Sequence, residues 1–252
     1  MPCVLITGAS AGIGAAFARR LARERYELVL LARDAERLER AAEQYRRESG
    51  IAVEVLEADL ATEQGIAAAE RRLRQGVDLL INNAGFGHRD TYLKVPISAE
   101  VTMLRVHCEA VLRLSSAALP NMIARGRGGV INVASVGAFF ARGTYTASKA
   151  WAVSFSESVA QDLADSGVRV MALCPGWVRT EFHERAAIDI SSVPGFMWLD
   201  ADWLVGQALR DFRRGKIISI PSLRYKAIVG LKRALPRGVS GRIASRTLRR
   251  YR

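Results

Sequence analysis

The chain has 252 residues, half of them hydrophobic and a quarter charged, a globular composition too apolar for intrinsic disorder. It has no uninterrupted run of about 18 apolar residues, so no membrane-spanning helix is expected, and the opening MPCVLITGAS lacks a basic-then-apolar leader, so the expected compartment is the cytosol. The net charge of +12 is uneven: residues 1–211 hold 24 basic and 25 acidic groups, whereas 212–252 hold 13 Lys and Arg and no acid.

In chain order, short runs rich in Val, Ile and Leu fall at Val4–Thr7, Leu28–Leu31, Val53–Leu56, Val77–Ile81, Val130–Val133, Val168–Leu173 and Ile217–Ile220. They have the pattern of strands covered on both faces. Helical patterns separate them: Ile13, Phe17 and Leu21 recur over 12–25, and Leu38, Ala42 and Tyr45 form a stripe over 34–48. Ser98 and Asp200 read as N-caps. The alternation predicts an α/β fold over residues 1–221: one doubly wound domain with a seven-stranded parallel sheet and helices on both faces. The irregular stretch 176–198, with Trp177, Phe182, Phe196 and Trp198, reads as a lid.

Residues 222–252 read as a basic amphipathic tail, with Leu223, Ala227, Ile228, Leu231 and Leu235 on one face and Pro236 ending the helix. Such a tail docks on its own body or a second copy, or on an anionic membrane; a nucleic-acid arm is the least favoured option. Cys3, Cys108 and Cys174 are odd in number and far apart. With only three histidines beside them, no disulfide framework and no metal site is expected, and all three read as small buried apolar residues.

The first strand runs into Thr7-Gly8-Ala9-Ser10-Ala11-Gly12-Ile13-Gly14 and then a helix. Glycines let backbone approach a phosphate, and the helix N-terminus offers N–H donors and positive potential. This T-G-x-x-x-G-x-G spacing resembles the short-chain dehydrogenase/reductase family, and the likeness covers roughly residues 3–220. Further matches come in the family's order: Asp59-Leu60, Asn82-Asn83-Ala84-Gly85, Ser135, Tyr145 and Lys149 as Y-x-x-x-K, Pro175-Gly176 and Thr180.

The resemblance implies a Rossmann fold and a nicotinamide cofactor held by Gly8, Ser10, Gly12, Ile13 and Gly14, by Asp59 and Leu60 near the adenine, and by Asn83, Ala84, Gly85, Pro175, Gly176 and Thr180. It also implies catalysis by Ser135, Tyr145 and Lys149, and usually a dimer or tetramer. Hydride transfer to a carbonyl carbon leaves an oxygen that must gain a proton, which Tyr145 can deliver. A free phenol has a pKa near 10. Lys149, four residues on, and the cationic nicotinamide are expected to lower it, while Ser135 orients the carbonyl.

Two departures stand out. His107 occupies the place of the family's helix Asn, which the resemblance implies helps hold a relay water linking the lysine to bulk solvent; a His could hold that water or titrate near neutrality. The gap from Ser135 to Tyr145 is short, so Phe139, Phe140 and Arg142 would line one wall of the pocket. At the end of the second strand Ala32 fills the family's acidic slot and Arg33 follows, which favours NADP(H); a one-residue slip would put Asp34 there instead. Phe139, Phe140, Trp177, Phe182 and Trp198 suggest a bulky apolar ketone, aldehyde or alcohol of ketoacyl, steroid-like or terpenoid type. Two readings of other classes stand beside this one: a non-catalytic nucleotide-binding redox sensor, supported by His107, and a membrane-associated interaction protein acting through the tail.

Overall fold

Side chains of a strand alternate between its faces, and that rule sets the layering. In β1 (Cys3–Thr7), Val4 and Ile6 enter one apolar layer and Leu5 the other, and all three are fully buried. The computed structural model describes residues 1–88, 90–186, 189–191 and 193–234. The remaining strands are β2 (Glu27–Ala32), β3 (Val53–Glu57), β4 (Leu79–Asn82), β5 (Gly128–Val133), β6 (Val168–Leu173) and β7 (Ile218–Ser219). They form one sheet in the order β3-β2-β1-β4-β5-β6-β7, with every pair parallel. The seven expected runs are the seven strands. β7 is the shortest, because it pairs through only two residues and Pro221 lacks the N–H to extend it.

Helices α1 (Gly12–Arg23), α2 (Ala35–Ser49) and α8 (Ala201–Arg213) cover the Val4–Ile6 face with Phe17, Leu21, Leu38, Val205 and Leu209. Helix α3 (Glu63–Arg74) covers the Leu5 face with Ile66 and Leu73. Beside it runs a long helix: α4 (Ile97–Leu104), a π-helical turn over Arg105–Glu109, and α5 (Ala110–Ala124), which adds Leu114 and Met122. Helix α6 (Gly143–Asp162) follows β5, the short α7 (Phe182–Arg185) sits in the lid, and α9 (Leu223–Ala234) follows β7. Among the described residues no helix is long and apolar enough to cross a membrane.

Local chemistry fixes the helix starts. Asp34, Thr62 and Asp200 cap α2, α3 and α8 by accepting the N–H of Arg37, Gly65 and Trp203. Ser98 is not the cap expected of it. The α4 ladder starts two residues earlier, with Pro96 O accepting from Ala99 and Glu100, so Ser98 already lies inside the helix. The cysteines also differ from expectation. Cys174 is fully buried, but Cys3 and Cys108 are only half-buried. Cys3 lies at the sheet's lower rim, where Arg72 donates to its sulfur.

The face of Leu223, Ala227, Ile228 and Leu231 points outward, and α9 packs on the body through Tyr225 and Val229, so docking of that face on the chain's own described residues, one of its expected uses, is not seen. Leu235, Pro236 and the rest of the expected tail lie outside the described residues.

Asp34→Ala is expected to lower the unfolding free energy by about 1 kcal/mol, the usual worth of an N-cap, in urea denaturation followed by circular dichroism.

Candidate active site

The sheet reverses its winding between β1 and β4, and the loops leaving the upper ends of these strands bound a crevice. Thr7, at the top of β1, laces the two loops together. Its Oγ1 accepts the N–H groups of Asn83 and Ala84, each at 2.9 Å, and donates to Ile81 O at 3.3 Å. The Asn83 amide returns bonds to Thr7 O at 2.9 Å and Gly8 O at 3.2 Å. The glycines match this closeness. A Cβ on Gly14 would lie 2.2 Å from Gly8 O and 2.6 Å from Asn83 Nδ2, and Gly12 adopts φ +55°. The first turn of α1 has no acidic residue, and its N-cap Ala11 makes no side-chain bond, so its N–H groups face the crevice without a competing carboxylate.

Beneath the crevice lies a buried polar ladder that the motifs do not reveal. Asn82 Nδ2 donates to Asn132 Oδ1 at 2.8 Å and to Ser115 Oγ at 3.2 Å. Asn132 Nδ2 donates to Ser156 Oγ at 2.9 Å. The ladder ties β4 and β5 to α5 and α6, so the helix carrying Tyr145 and Lys149 has a fixed register on the sheet. A lone Asn within an apolar strand run is the only trace of it in sequence.

Ser135 leaves β5 and caps a 3-10 turn over Val136–Phe139, accepting the Gly137 N–H at 3.0 Å. Its side chain faces the Tyr145 phenol closely enough to pull against the rise in that group's pKa. Lys149 is buried, donates to Val133 O at 2.9 Å, and lies 5.8 Å from the centre of the Tyr145 ring. Ser135, Tyr145 and Lys149 are thus brought together as the motifs require. With the protein's own groups alone, burial pushes the phenol up to about 12 against the opposing pull of Ser135, and Lys149 makes no resolved contribution. Burial brings Lys149 down to about 8.

His107 corrects an expectation. It sits in the π-helical turn, a distortion common at functional sites, and is 1% exposed. Nε2 accepts the Phe86 N–H at 3.1 Å, which leaves the proton on Nδ1, 2.8 Å from Ser148 Oγ. Ser148 in turn donates to Tyr145 O at 2.8 Å. Both ring nitrogens are taken by protein groups, so neither holds a relay water. Burial and the Lys149 charge hold its pKa well below the ordinary 6.5, so it does not titrate near neutrality. The ring is a neutral clip joining the loop after β4 to the helix of Tyr145.

The segment after β6 lies over the crevice. A Cβ on Gly12 would meet Thr180 at 3.2 Å, and Arg37 at the start of α2 pairs with Glu181. Phe182 approaches Tyr145, with ring centres 6.0 Å apart. Trp177 and Trp198 instead pack with His183 at 4.8 and 5.2 Å, as the lid's own aromatic core. Phe139 packs beside Ala152, Val153 and Cys174, under the guanidinium of Arg233 at 4.8 Å. Phe140 is half-buried beside it. Tyr225 of α9 closes the base of the lid: its hydroxyl accepts the Trp177 N–H at 3.0 Å and donates to Met197 O at 2.8 Å. Its ring lies where a Cβ on Gly176 would be, 2.0 Å away, so Pro175-Gly176 matches a packing need here as well.

Other expected positions are in place. Arg33 is exposed just past β2, and Asp34 is engaged as the α2 cap. Asp59 follows β3 and accepts the Ala61 N–H, Leu60 is buried beside it, and Ser10, Ile13 and Gly85 line the loops already described.

The geometry agrees with known proteins. The short chain dehydrogenase family profile matches residues 2–190. Gluconate 5-dehydrogenase of Gluconobacter oxydans is 34% identical over 224 residues, which cover 81% of this chain and 85% of that protein. A short-chain dehydrogenase from Sphingobium yanoikuyae, solved in complex with NADPH, superposes with a TM-score of 0.85 at 38% identity, over 92% of this chain and 94% of that one. The bulky-bulky ketone specific alcohol dehydrogenase from Comamonas testosteroni gives 0.81 at 30% identity, over 94% and 96%. The chain belongs to the short-chain dehydrogenase/reductase family and is an oxidoreductase by that membership.

The buried rings make stability depend on pH. His107 and His183 are both held below 6.5 by burial, so the unfolded chain binds protons that the native rings refuse. Their contribution is complete above about pH 6.5 and falls as pH drops below it, by up to about 1.4 kcal/mol per pH unit for each ring. Urea midpoints taken from about pH 7.5 down to about pH 5 should fall, and His107→Asn should flatten the slope.

Proposed function

We propose that this chain is an NADP(H)-dependent reductase of ketones or aldehydes, acting on a bulky apolar substrate of ketoacyl, steroid-like or related lipid-like type. One observation carries the cofactor choice: β2 ends at Ala32, with Arg33 exposed beyond it and Asp34 engaged in capping α2. A carboxylate that would repel a 2′-phosphate is therefore missing from the strand end, and a planar guanidinium suited to phosphate stands beside it. The NADPH carried by the Sphingobium relative supports the same choice.

The crevice fits a dinucleotide. The N–H groups at the start of α1 and the bare backbone of Gly12 and Gly14 would hold the diphosphate, with Ser10 and Ile13 alongside and Thr180 across from them. Asp59 and Leu60 would flank the adenine, while Asn83, Ala84, Gly85, Pro175 and Gly176 border the nicotinamide half. When bound, the cofactor supplies the hydride. The chain's own groups do the rest: Ser135 holds the carbonyl oxygen, Tyr145 donates the proton to it, and Lys149 supplies positive charge that stabilises the phenolate left behind.

Phe182, beside Tyr145, supports an apolar substrate, as does the bulky ketone preference named for the Comamonas relative. The redox-sensor reading loses its support, because His107 is engaged as a clip beside an assembled Ser135–Tyr145–Lys149 set. The reading includes a cytosolic homo-oligomer, dimer or tetramer, for which exposed Leu104, Leu112 and Ile123 along α4 and α5 offer apolar surface.

Fluorescence titration should give NADPH binding well ahead of NADH, with Arg33→Ala cutting that preference on the order of tenfold or more and sparing NADH binding. Equal affinity for both in the parent chain would reject the NADP(H) assignment. Tyr145→Phe should abolish reduction of a bulky ketone, a loss of about 100-fold or more, while NADPH still binds.

A further inference from the structure

Helix α9 has two faces that differ in kind. Its inner face is settled: Tyr225 and Val229 are buried, and the Tyr225 hydroxyl bridges the two ends of the lid. Its outer face is apolar, with Leu223 79% and Leu231 66% exposed, Ala227 between them and Ile228 at the edge. Arg224 lies within this face and Lys226 flanks it; both are exposed. Docking on the described residues of the chain's own body therefore does not account for the apolar stripe.

Charge decides what covers it. No acidic residue follows Asp211, while 13 Lys and Arg do, six of them arginines in 235–252. A groove of about 690 Å³ beside the helix is lined by Trp198, Trp203, Arg214, Lys216, Arg224 and Lys226. Its two carboxylates are already engaged: Asp211 with Lys216 and Ser219, Asp200 with the Trp203 N–H. A second copy would bring two such cationic surfaces together. A nucleic acid would use the cations and leave the stripe in water. An anionic bilayer takes both, since acyl chains receive the leucines and headgroup phosphates the cations.

We propose that the outer face of α9, with the basic residues around it, docks this protein on anionic membrane surfaces as a peripheral enzyme. The proposal does not depend on the substrate or the cofactor. It places at the lipid surface the helix whose Tyr225 fastens the lid, so the mouth of the active site lies near the membrane.

The full-length chain is sedimented with vesicles of phosphatidylcholine alone, or of phosphatidylcholine mixed with phosphatidylglycerol. It should pellet with the mixed vesicles, leave them as salt is raised, and ignore the neutral ones. Leu223→Ser with Leu231→Ser should weaken the partition about tenfold or more, with the unfolding midpoint unchanged because both side chains are exposed. A wild-type chain that fails to pellet, or pellets equally with neutral vesicles, overturns the proposal. So does a double variant that partitions like the wild type. If the wild type binds duplex DNA or RNA more tightly than the mixed vesicles, the surface is a nucleic-acid arm. If the double variant turns an oligomer into a monomer with vesicle binding intact, the stripe is a contact between copies.

Discussion

One threonine hydroxyl at the top of β1 accepts two backbone N–H groups from the turn after β4, across the point where the sheet reverses its winding. The rest of the site depends on that closure. It pulls the glycine loop against the Asn83–Ala84 turn so tightly that no side chain fits at Gly14. It also leaves the N–H groups of α1 facing a narrow crevice. Each backbone polar group in so dry a place needs a partner, and Thr7 and Asn83 supply several of them.

A second set of polar contacts fixes the catalytic helix in relation to that crevice. The Asn82–Asn132–Ser156 ladder runs beneath the sheet's upper edge, and the His107–Ser148 clip runs beside it. The clip makes the helix distortion intelligible: widening the helix at Arg105–Glu109 carries the His107 ring to the loop after β4. A shorter asparagine side chain would meet the same loop differently, so the π turn and the histidine belong together. Networks of this sort favour one arrangement, because a slip would break several buried hydrogen bonds at once; here only Asn82 Oδ1 is left without a partner.

Much of this was legible in the sequence, for a physical reason. Phosphate binding demands bare backbone at fixed intervals, and proton donation demands Tyr145 and Lys149 one helical turn apart, so both leave a local pattern. The seven strands were legible because burial on both faces yields unbroken runs of Val, Ile and Leu. What stayed hidden depends on partners distant in the chain. His107 reads as a titrating group until Phe86 and Ser148 are seen to occupy both its nitrogens. The apolar stripe of α9 reads as the docking face, yet Tyr225 and Val229 prevail, because Gly176 leaves a ring-sized space that the leucines do not fill. Ser98 misleads on a smaller scale, since Pro96 starts the helix first.

Tyr225 also sets an order of events. The segment over the crevice begins at Gly176, but both of its ends are fastened by a residue nearly fifty positions further on. During synthesis the strands through β6 can pair, and Ser135, Tyr145 and Lys149 can come together, before that residue exists. The lid is seated only when α9 arrives. Until then a nascent polypeptide can have an assembled catalytic floor beneath an unfastened roof, and the roof waits on α9 to dock.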